Sequence, residues 1–348
     1  MAKRSAGNIH AEAKTENQIG KLQTVNASLL RRLDAAKHST DKLVAAVYKA
    51  ARDAAEQVVY KPVVAPKRDQ RSDDPETAIM VVSDWQLGKK TPTYNSDVCA
   101  KRVAMYSNRV RRLTDIQRSN RPIRRARIFL LGDLVEGELI FPGQEHRIDT
   151  SLFRQVMLDG PEILGTMIRD TLNYFDEVIV DDVIGNHGAL GGPSRKHYHP
   201  ESNADAMMYE ATRKMLGKEP RLTWAPTYVP GERAWHKVVM IGTKRYFLLH
   251  GDQMRGGGFA GIPYYGFIRA INNWSSGVIS GGFDYALAGH WHQLASVPIN
   301  KRILWINGST ESDNEWLREE LKAQADPGQW LLFAHDRRGV TSEHRVWL

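Results

Sequence analysis

Five short segments of this chain share one design: an apolar run ends, and side chains able to ligate a metal follow at once. They are Val81-Val-Ser-Asp84-Trp-Gln86, Leu130-Leu-Gly-Asp133-Leu-Val-Glu136, Val183-Ile-Gly-Asn186-His187-Gly188, Leu248-Leu-His250-Gly-Asp252 and Leu287-Ala-Gly-His290-Trp-His292. The C-terminal ends of strands are where open α/β sheets gather their sites. Glycine beside a ligand lets backbone and ion approach closely. Carboxylates, imidazoles and amide oxygens without a thiolate suit a borderline-to-hard divalent cation. Two such ions sharing one carboxylate can activate water and clamp a phosphoryl group. The single cysteine, Cys99, excludes an intramolecular disulfide and a thiolate cluster held by this chain alone. Its expected role is that of a packed small hydrophobe.

Around these segments the pattern is that of an α/β protein. Thr77–Ser83, Ala126–Leu131, Glu177–Ile184, Leu222–Tyr228, Ala234–Ile241, Tyr246–His250, Tyr285–Ala288, Arg302–Ile306, Trp330–His335 and Val340–Val346 read as strands. Val98–Ser119, Ser151–Phe175 (interrupted near Pro161), Ser202–Leu216 and Ile262–Asn273 read as helices. Asp336-Arg-Arg-Gly339 reads as a hairpin turn. Early strands alternate with helices and later ones cluster, which suggests more than one sheet.

Residues 1–60 read as a helical arm. Ile19, Leu22, Asn26, Leu29, Leu33, Ala36, Thr40, Leu43, Val47, Ala50 and Ala54 trace a heptad-like seam, weakened where it is small or polar. Such an arm either self-associates, docks on a protein partner, lies on its own domain or is partly disordered. Residues 61–76, with Pro62, Pro66 and Pro75, read as a linker, and 77–348 as the metal-binding domain. The N-terminus lacks the apolar core of a signal peptide, and no apolar run approaches the ~18 residues of a membrane span. A cytoplasmic protein with no membrane partner is expected.

Taken in order, the five segments resemble the calcineurin-like metallophosphoesterases, whose pattern is D-x-H, G-D-x-x-[DE], G-N-H-[DE], a lone His and G-H-x-H. The resemblance spans Asp84 to His292. It implies a four-layer αββα sandwich of two mixed sheets. It also implies two divalent cations, Mn²⁺ first, with Mg²⁺, Fe or Zn²⁺ as alternatives. By position, Asp84, Gln86 and His292 would hold the first cation, and Asn186, His250 and His290 the second, with Asp133 bridging both. His187 matches the family's non-ligand histidine, which stabilises the transition state or protonates the leaving oxygen while a bridging hydroxide attacks phosphorus in line. Glu136 and Asp252 would orient ligands rather than bind. Two departures stand out. Gln86 replaces a histidine, which implies either a looser first site preferring Mn²⁺ or Mg²⁺, or one that fills poorly. Gly188 replaces the acidic residue that orients the histidine, which leaves open what holds His187.

Substrate class is read from charge and loops. The net charge is +8, yet residues 101–127 hold ten Lys and Arg against one Asp, while residues 128–348 are acidic, 22 against 27. That basic strip, with the arm, suggests DNA. His146 and Arg147 follow the second segment, and Arg195 and His199 follow the third, where each pair would either touch substrate phosphate or belong to a polar surface loop. Phe259, Tyr264 and Tyr265 would either stack on bases or fill the core. Phe141-Pro-Gly-Gln-Glu is similar to the nuclease branch of the family. A metal-dependent DNA exo- or endonuclease is therefore expected first. A phosphomonoesterase on a nucleotide or phosphoprotein and a weakly active scaffold subunit are the alternatives.

Overall fold

The computed structural model describes residues 63–138, 140–190, 200–225, 235–255, 258, 261–319 and 322–348, preceded by Ser28, Arg31, Lys42, Ala45, Ala46, Lys49 and Asp53. Those seven early positions are helical and exposed; the heptad-like seam lies outside the described residues. The chain divides into two units, Met1–Ala46 and Val47–Leu348, and every site residue named above belongs to the second.

In chain order the described strands are β1 (Glu76–Val82), β2 (Ile123–Leu130), β3 (Glu177–Asp182), β4 (Leu222–Trp224), β5 (His236–Ile241), β6 (Lys244–Leu249), β7 (Tyr285–Ala288), β8 (Ala295–Ile299), β9 (Arg302–Ile306), β10 (Gly328–His335) and β11 (Gly339–Trp347). They form two mixed sheets, ordered β11-β10-β1-β2-β3-β4 and β5-β6-β7-β9-β8. β1 to β4 run parallel; β10 pairs antiparallel with β1, and β11 antiparallel with β10. In the second sheet β6, β7 and β9 run parallel.

The helices are α1 (Ser96–Arg118), α2 (Gly160–Leu172), α3 (Ala204–Leu216), α4 (Tyr264–Asn273) and α5 (Glu315–Glu319). β1 is buried along its whole length, as a strand covered on both faces must be. Ile79 and Val81 face the second sheet, packing with Phe129, Leu248, Leu287, Trp305 and Trp330. The opposite face of the first sheet meets helices: Tyr106 of α1 donates its hydroxyl to the Trp330 carbonyl at 2.8 Å, and Thr171 of α2 reaches Met80. Phe267 and Ile271 of α4 cover the far face of the second sheet, against Phe247 and Ala286. The result is the four-layer αββα sandwich. Cys99 is fully buried, and its thiol is pushed up to about 11 by burial. No helix among the described residues is long and apolar enough to cross a membrane.

The structure revises three boundaries. β8 was not legible, because a five-residue strand with Pro298 and mixed burial sits at the sheet edge, where proline is tolerated. β4 is described only as Leu222–Trp224. The helix expected to be interrupted near Pro161 runs on from Leu152 through a π-turn at Gln155–Asp159 into α2, and the interruption is this wider turn just before Pro161 rather than a break. A Cβ on Gly160 would lie 2.2 Å from the Gln155 carbonyl oxygen and 2.3 Å from Met208 Sδ. Gly160→Ala is therefore expected to cost about 1–3 kcal/mol by overpacking, read as a lower urea midpoint with unchanged slope.

Candidate metal centre

The backbone itself marks the site. Asp84 (φ 54°), Gln86 (φ 51°), Asp133 (φ 55°), His290 (φ 71°) and His292 (φ 55°) all adopt the left-handed conformation. Only four other non-glycine residues do so among those described. This conformation costs energy for a residue with a Cβ, and it clusters where side-chain aim matters more than backbone comfort. The neighbouring glycines have a separate cause, which is crowding. A Cβ on Gly185 would fall 2.0 Å from Asp133 Oδ1, and one on Gly289 would fall 2.6 Å from Asp84 Oδ2.

These turns bring the seven expected ligands together. His250 Nε2 lies 3.0 Å from Asp133 Oδ2 and 3.2 Å from Asn186 Oδ1. Ligand atoms of Asp133, His250 and His290 all lie within 4.8 Å of one another. On the other side of Asp133, His292 Nε2 is 3.3 Å from Asp84 Oδ1. Gln86 Nε2 is 3.5 Å from both Asp133 Oδ2 and His292 Nε2. Gln86 Oε1 is buried without a hydrogen-bond partner. Turning the amide over would aim Oε1, Asp133 Oδ2 and His292 Nε2 at one point, three lone pairs that a cation would reconcile. The donor set therefore fits a pair of divalent cations divided by Asp133. His250 Nδ1 meets the Leu131 carbonyl at 2.7 Å, which leaves Nε2 as the ligand atom.

Glu136 answers the question left by Gly188. Its backbone carbonyl accepts from His187 Nδ1 at 3.2 Å and so orients the imidazole, while its carboxylate Oε2 lies 3.1 Å from Nδ1 without a hydrogen bond of its own. His187 Nε2 then faces Asp133 at 3.9 Å. Position 188 has no room for a side chain: a Cβ would lie 2.6 Å from Asn203 Oδ1, at the head of α3.

Three supporting residues escaped the sequence reading. The Asp205 carboxylate accepts the backbone N–H groups of Asp133 at 2.8 Å, Leu134 at 3.0 Å, Val135 at 3.2 Å and Gly185 at 2.9 Å. It therefore ties the second and third motif loops together. Burial and the nearby Asp133 charge push its pKa up to about 6 against those donors. Glu311 lies 2.5 Å from His292 Nδ1 and 2.6 Å from Lys89 Nζ. Only the offset of two residues between Asn307-Gly-Ser309 and Glu311 hinted at the latter. Ser309 itself donates to the Asp84 carbonyl at 2.6 Å, and Asn307 to Ser83 Oγ at 2.9 Å.

The expected substrate contacts fare differently. His146 and Arg147 are exposed, with His146 beside Glu145 at 3.7 Å and Arg147 beside Glu315 at 3.8 Å rather than at a ligand. Arg195, His199 and Phe259 lie outside the described residues. Tyr265 is exposed and Tyr264 half-buried. Asp252 is half-buried, and its charge acts on His250.

The end of the basic strip does not border the cluster. Arg124 and Arg125 sit at the start of β2, whereas Asp133 follows its end, roughly 25 Å away at ~3.3 Å per residue. Its arginines are also engaged: Arg118 with the Ile123 and Tyr174 carbonyls, Arg121 with Asp74 and Glu76, Arg125 with Glu177, and Arg127 with Asp181.

Electrostatics among these side chains have a clear sense. Burial opposes charge on His250, but Asp133 overcomes it and raises the imidazole to about 10. Burial likewise opposes charge on His292, and Glu311 with Asp84 raises it to about 10. Burial holds His290 well below its ordinary value, helped by the His250 charge. At neutral pH, His250 and His292 are thus protonated, and a cation must displace those protons. Loading should release about two protons, and affinity should climb with pH toward 10. Mn²⁺ calorimetry in buffers of different ionisation enthalpy checks this; buffer-independent heats would contradict it.

No protein-family model and no curated protein sequence matches the chain. Solved structures resemble it in part. A Vps29 complexed with Zn²⁺ from Entamoeba histolytica is 13% identical over 77% of this chain and 98% of that one, with a TM-score of 0.31. An archaeal phosphodiesterase is 10% identical over 78% and 99%, at 0.35. A hypothetical protein from Pyrococcus horikoshii is 10% identical over 78% and 88%, at 0.38. Likeness of that degree carries no functional argument, so the reading rests on this chain's own motifs and geometry. Two mixed sheets packed face to face, with the five ligand segments in order at neighbouring strand ends, give the chain the four-layer αββα architecture expected from its sequence.

Proposed function

We propose that this chain is a divalent-metal-dependent phosphoester hydrolase, with Mn²⁺ as the first cation to test. The observation that carries the reading is the convergence of Asp84, Gln86, Asp133, Asn186, His250, His290 and His292 around one buried carboxylate, beside His187. When bound, two cations would activate water and neutralise charge on the phosphoryl oxygens. The chain's own residues do the rest. Asp133 sits between the two ligand groups. Asn186 adds a neutral amide oxygen, so the second group is not overloaded with negative charge. His187, fixed through Nδ1 by Glu136, keeps Nε2 free to give a proton to the leaving oxygen.

The substrate we propose carries a nucleobase: a nucleotide or the end of a DNA strand. Phe141 supports this. Its ring is half exposed and meets His187 edge-on at 5.3 Å and 71°. It therefore offers a flat apolar face next to where the leaving group departs, and base–aromatic stacking is worth about 1–3 kcal/mol. The Phe141 loop is held by Gln144, which accepts from Ile140 N at 2.9 Å and donates to the Glu136 carbonyl at 2.8 Å. A long duplex track is less favoured, because Arg118, Arg121 and Arg125, at the end of the basic strip, are paired at the end of the sheet away from the ligands. A protein partner for the arm and an intracellular setting are further proposals from the sequence.

One panel tests both levels. With Mn²⁺, the protein is offered labelled single- and double-stranded DNA, nucleoside monophosphates, and a generic phosphomonoester and phosphodiester. Asp133→Ala and His187→Ala should lower turnover at least about a hundredfold. Survival of activity in either would refute the site. Phe141→Ala should raise KM about tenfold on base-bearing substrates and leave the generic esters within about twofold. Equal losses on both would instead make Phe141 a support for His187 and remove the nucleobase proposal.

A further inference from the structure

We infer that Glu311, held by Lys89, positions His292 and strengthens it as a ligand, offsetting the weak donor Gln86 in the same cation site. The inference rests on reading the cluster as a two-cation site. Four observations carry it. Glu311 is buried, 4% exposed, and its two carboxylate oxygens face opposite ways: Oε1 lies 2.5 Å from His292 Nδ1 and Oε2 lies 2.6 Å from Lys89 Nζ. Asn314 also donates to Oε1. A lone carboxylate at this depth would be costly, and the lysine and the imidazole close beside it make its ionised form tenable as ion-pair partners, His292 Nδ1 and Glu311 Oε2 having no aligned hydrogen bond of their own. The loop is anchored to the first ligand segment as well, since Glu311 N donates to Ser309 Oγ at 2.9 Å and Ser309 to the Asp84 carbonyl at 2.6 Å.

The consequence falls on one cation. A carboxylate on Nδ1 fixes the tautomer that leaves Nε2 free and raises its basicity toward a metal. His292 Nε2 lies 3.3 Å from Asp84 Oδ1 and 3.5 Å from Gln86 Nε2, so it serves the Asp84–Gln86 side. On the other side, His250 Nδ1 meets the neutral Leu131 carbonyl. The stronger support thus stands behind the ligand whose partner is a neutral amide. Lys89 belongs to the segment that follows Gln86, and Lys89 N donates to the Gln86 carbonyl at 2.9 Å.

The test is a two-by-two set of full-length proteins: wild type, Glu311→Gln, Gln86→His, and both together. Position 86 accepts histidine, since that residue tolerates its φ of 51°. Mn²⁺ binding is read by calorimetry and by the spin-coupled electron paramagnetic resonance signal of paired ions. Wild type should bind two ions. E311Q should keep one and weaken the other about 10–100-fold, losing the coupled signal. Q86H should restore affinity in the E311Q background by a larger factor than it changes wild type. Should E311Q fail to fold, E311D, which keeps the charge but withdraws it by one methylene, carries the same expectations. Equal weakening of both ions, or an equal effect of Q86H in both backgrounds, would overturn the inference. Wild type binding no pair of ions would overturn the two-cation reading itself, and the inference with it.

Discussion

Face-to-face packing of the two sheets brings the ligands together, because neither sheet carries a full set. The first sheet delivers Asp84, Gln86, Asp133 and Asn186 from the ends of β1, β2 and β3. The second delivers His250, His290 and His292 from the ends of β6 and β7. Ile79, Val81, Phe129, Leu248, Leu287 and Trp305 form the shared layer that holds those ends level. Contacts of 3.0 to 3.3 Å then cross from one sheet to the other, between His250 and Asp133 and between His292 and Asp84. A cavity in that layer would shift one set of strand ends against the other, so core and site share one geometry.

Much of this was legible in the sequence, for physical reasons. A strand covered on both faces is a short apolar run, and a ligand at its end follows immediately, so the five segments announced both fold and site. The hairpin at Asp336–Gly339 carried its own turn residues and is found between β10 and β11. Support for the ligands was hidden. Asp205 acts through four backbone N–H groups contributed by two loops, and no spacing rule marks a carboxylate that binds backbone. Glu311 and Lys89 are more than two hundred residues apart and meet only because β9 ends beside β1 in the folded chain. The departure at Gly188 looked like a loss, yet the structure shows a crowded position whose task Glu136 has taken over.

Charge was the least reliable guide. A run of arginines in sequence says nothing about which way each side chain turns. Here α1 and β2 spend several of them on carbonyls and carboxylates that tie helix, strand and preceding segment together. Arg118 also lies over the Tyr174 ring, 4.2 Å from its centre. Those arginines tie together the end of the first sheet away from the ligands.

The most direct test of the two-cation account is the anomalous diffraction of a crystal soaked in Mn²⁺. It should give two peaks about 3.5–4 Å apart, both in contact with Asp133, one beside Asp84 and His292 and the other beside Asn186 and His250. A single peak, or a pair that leaves Asp133 uncoordinated, would contradict it.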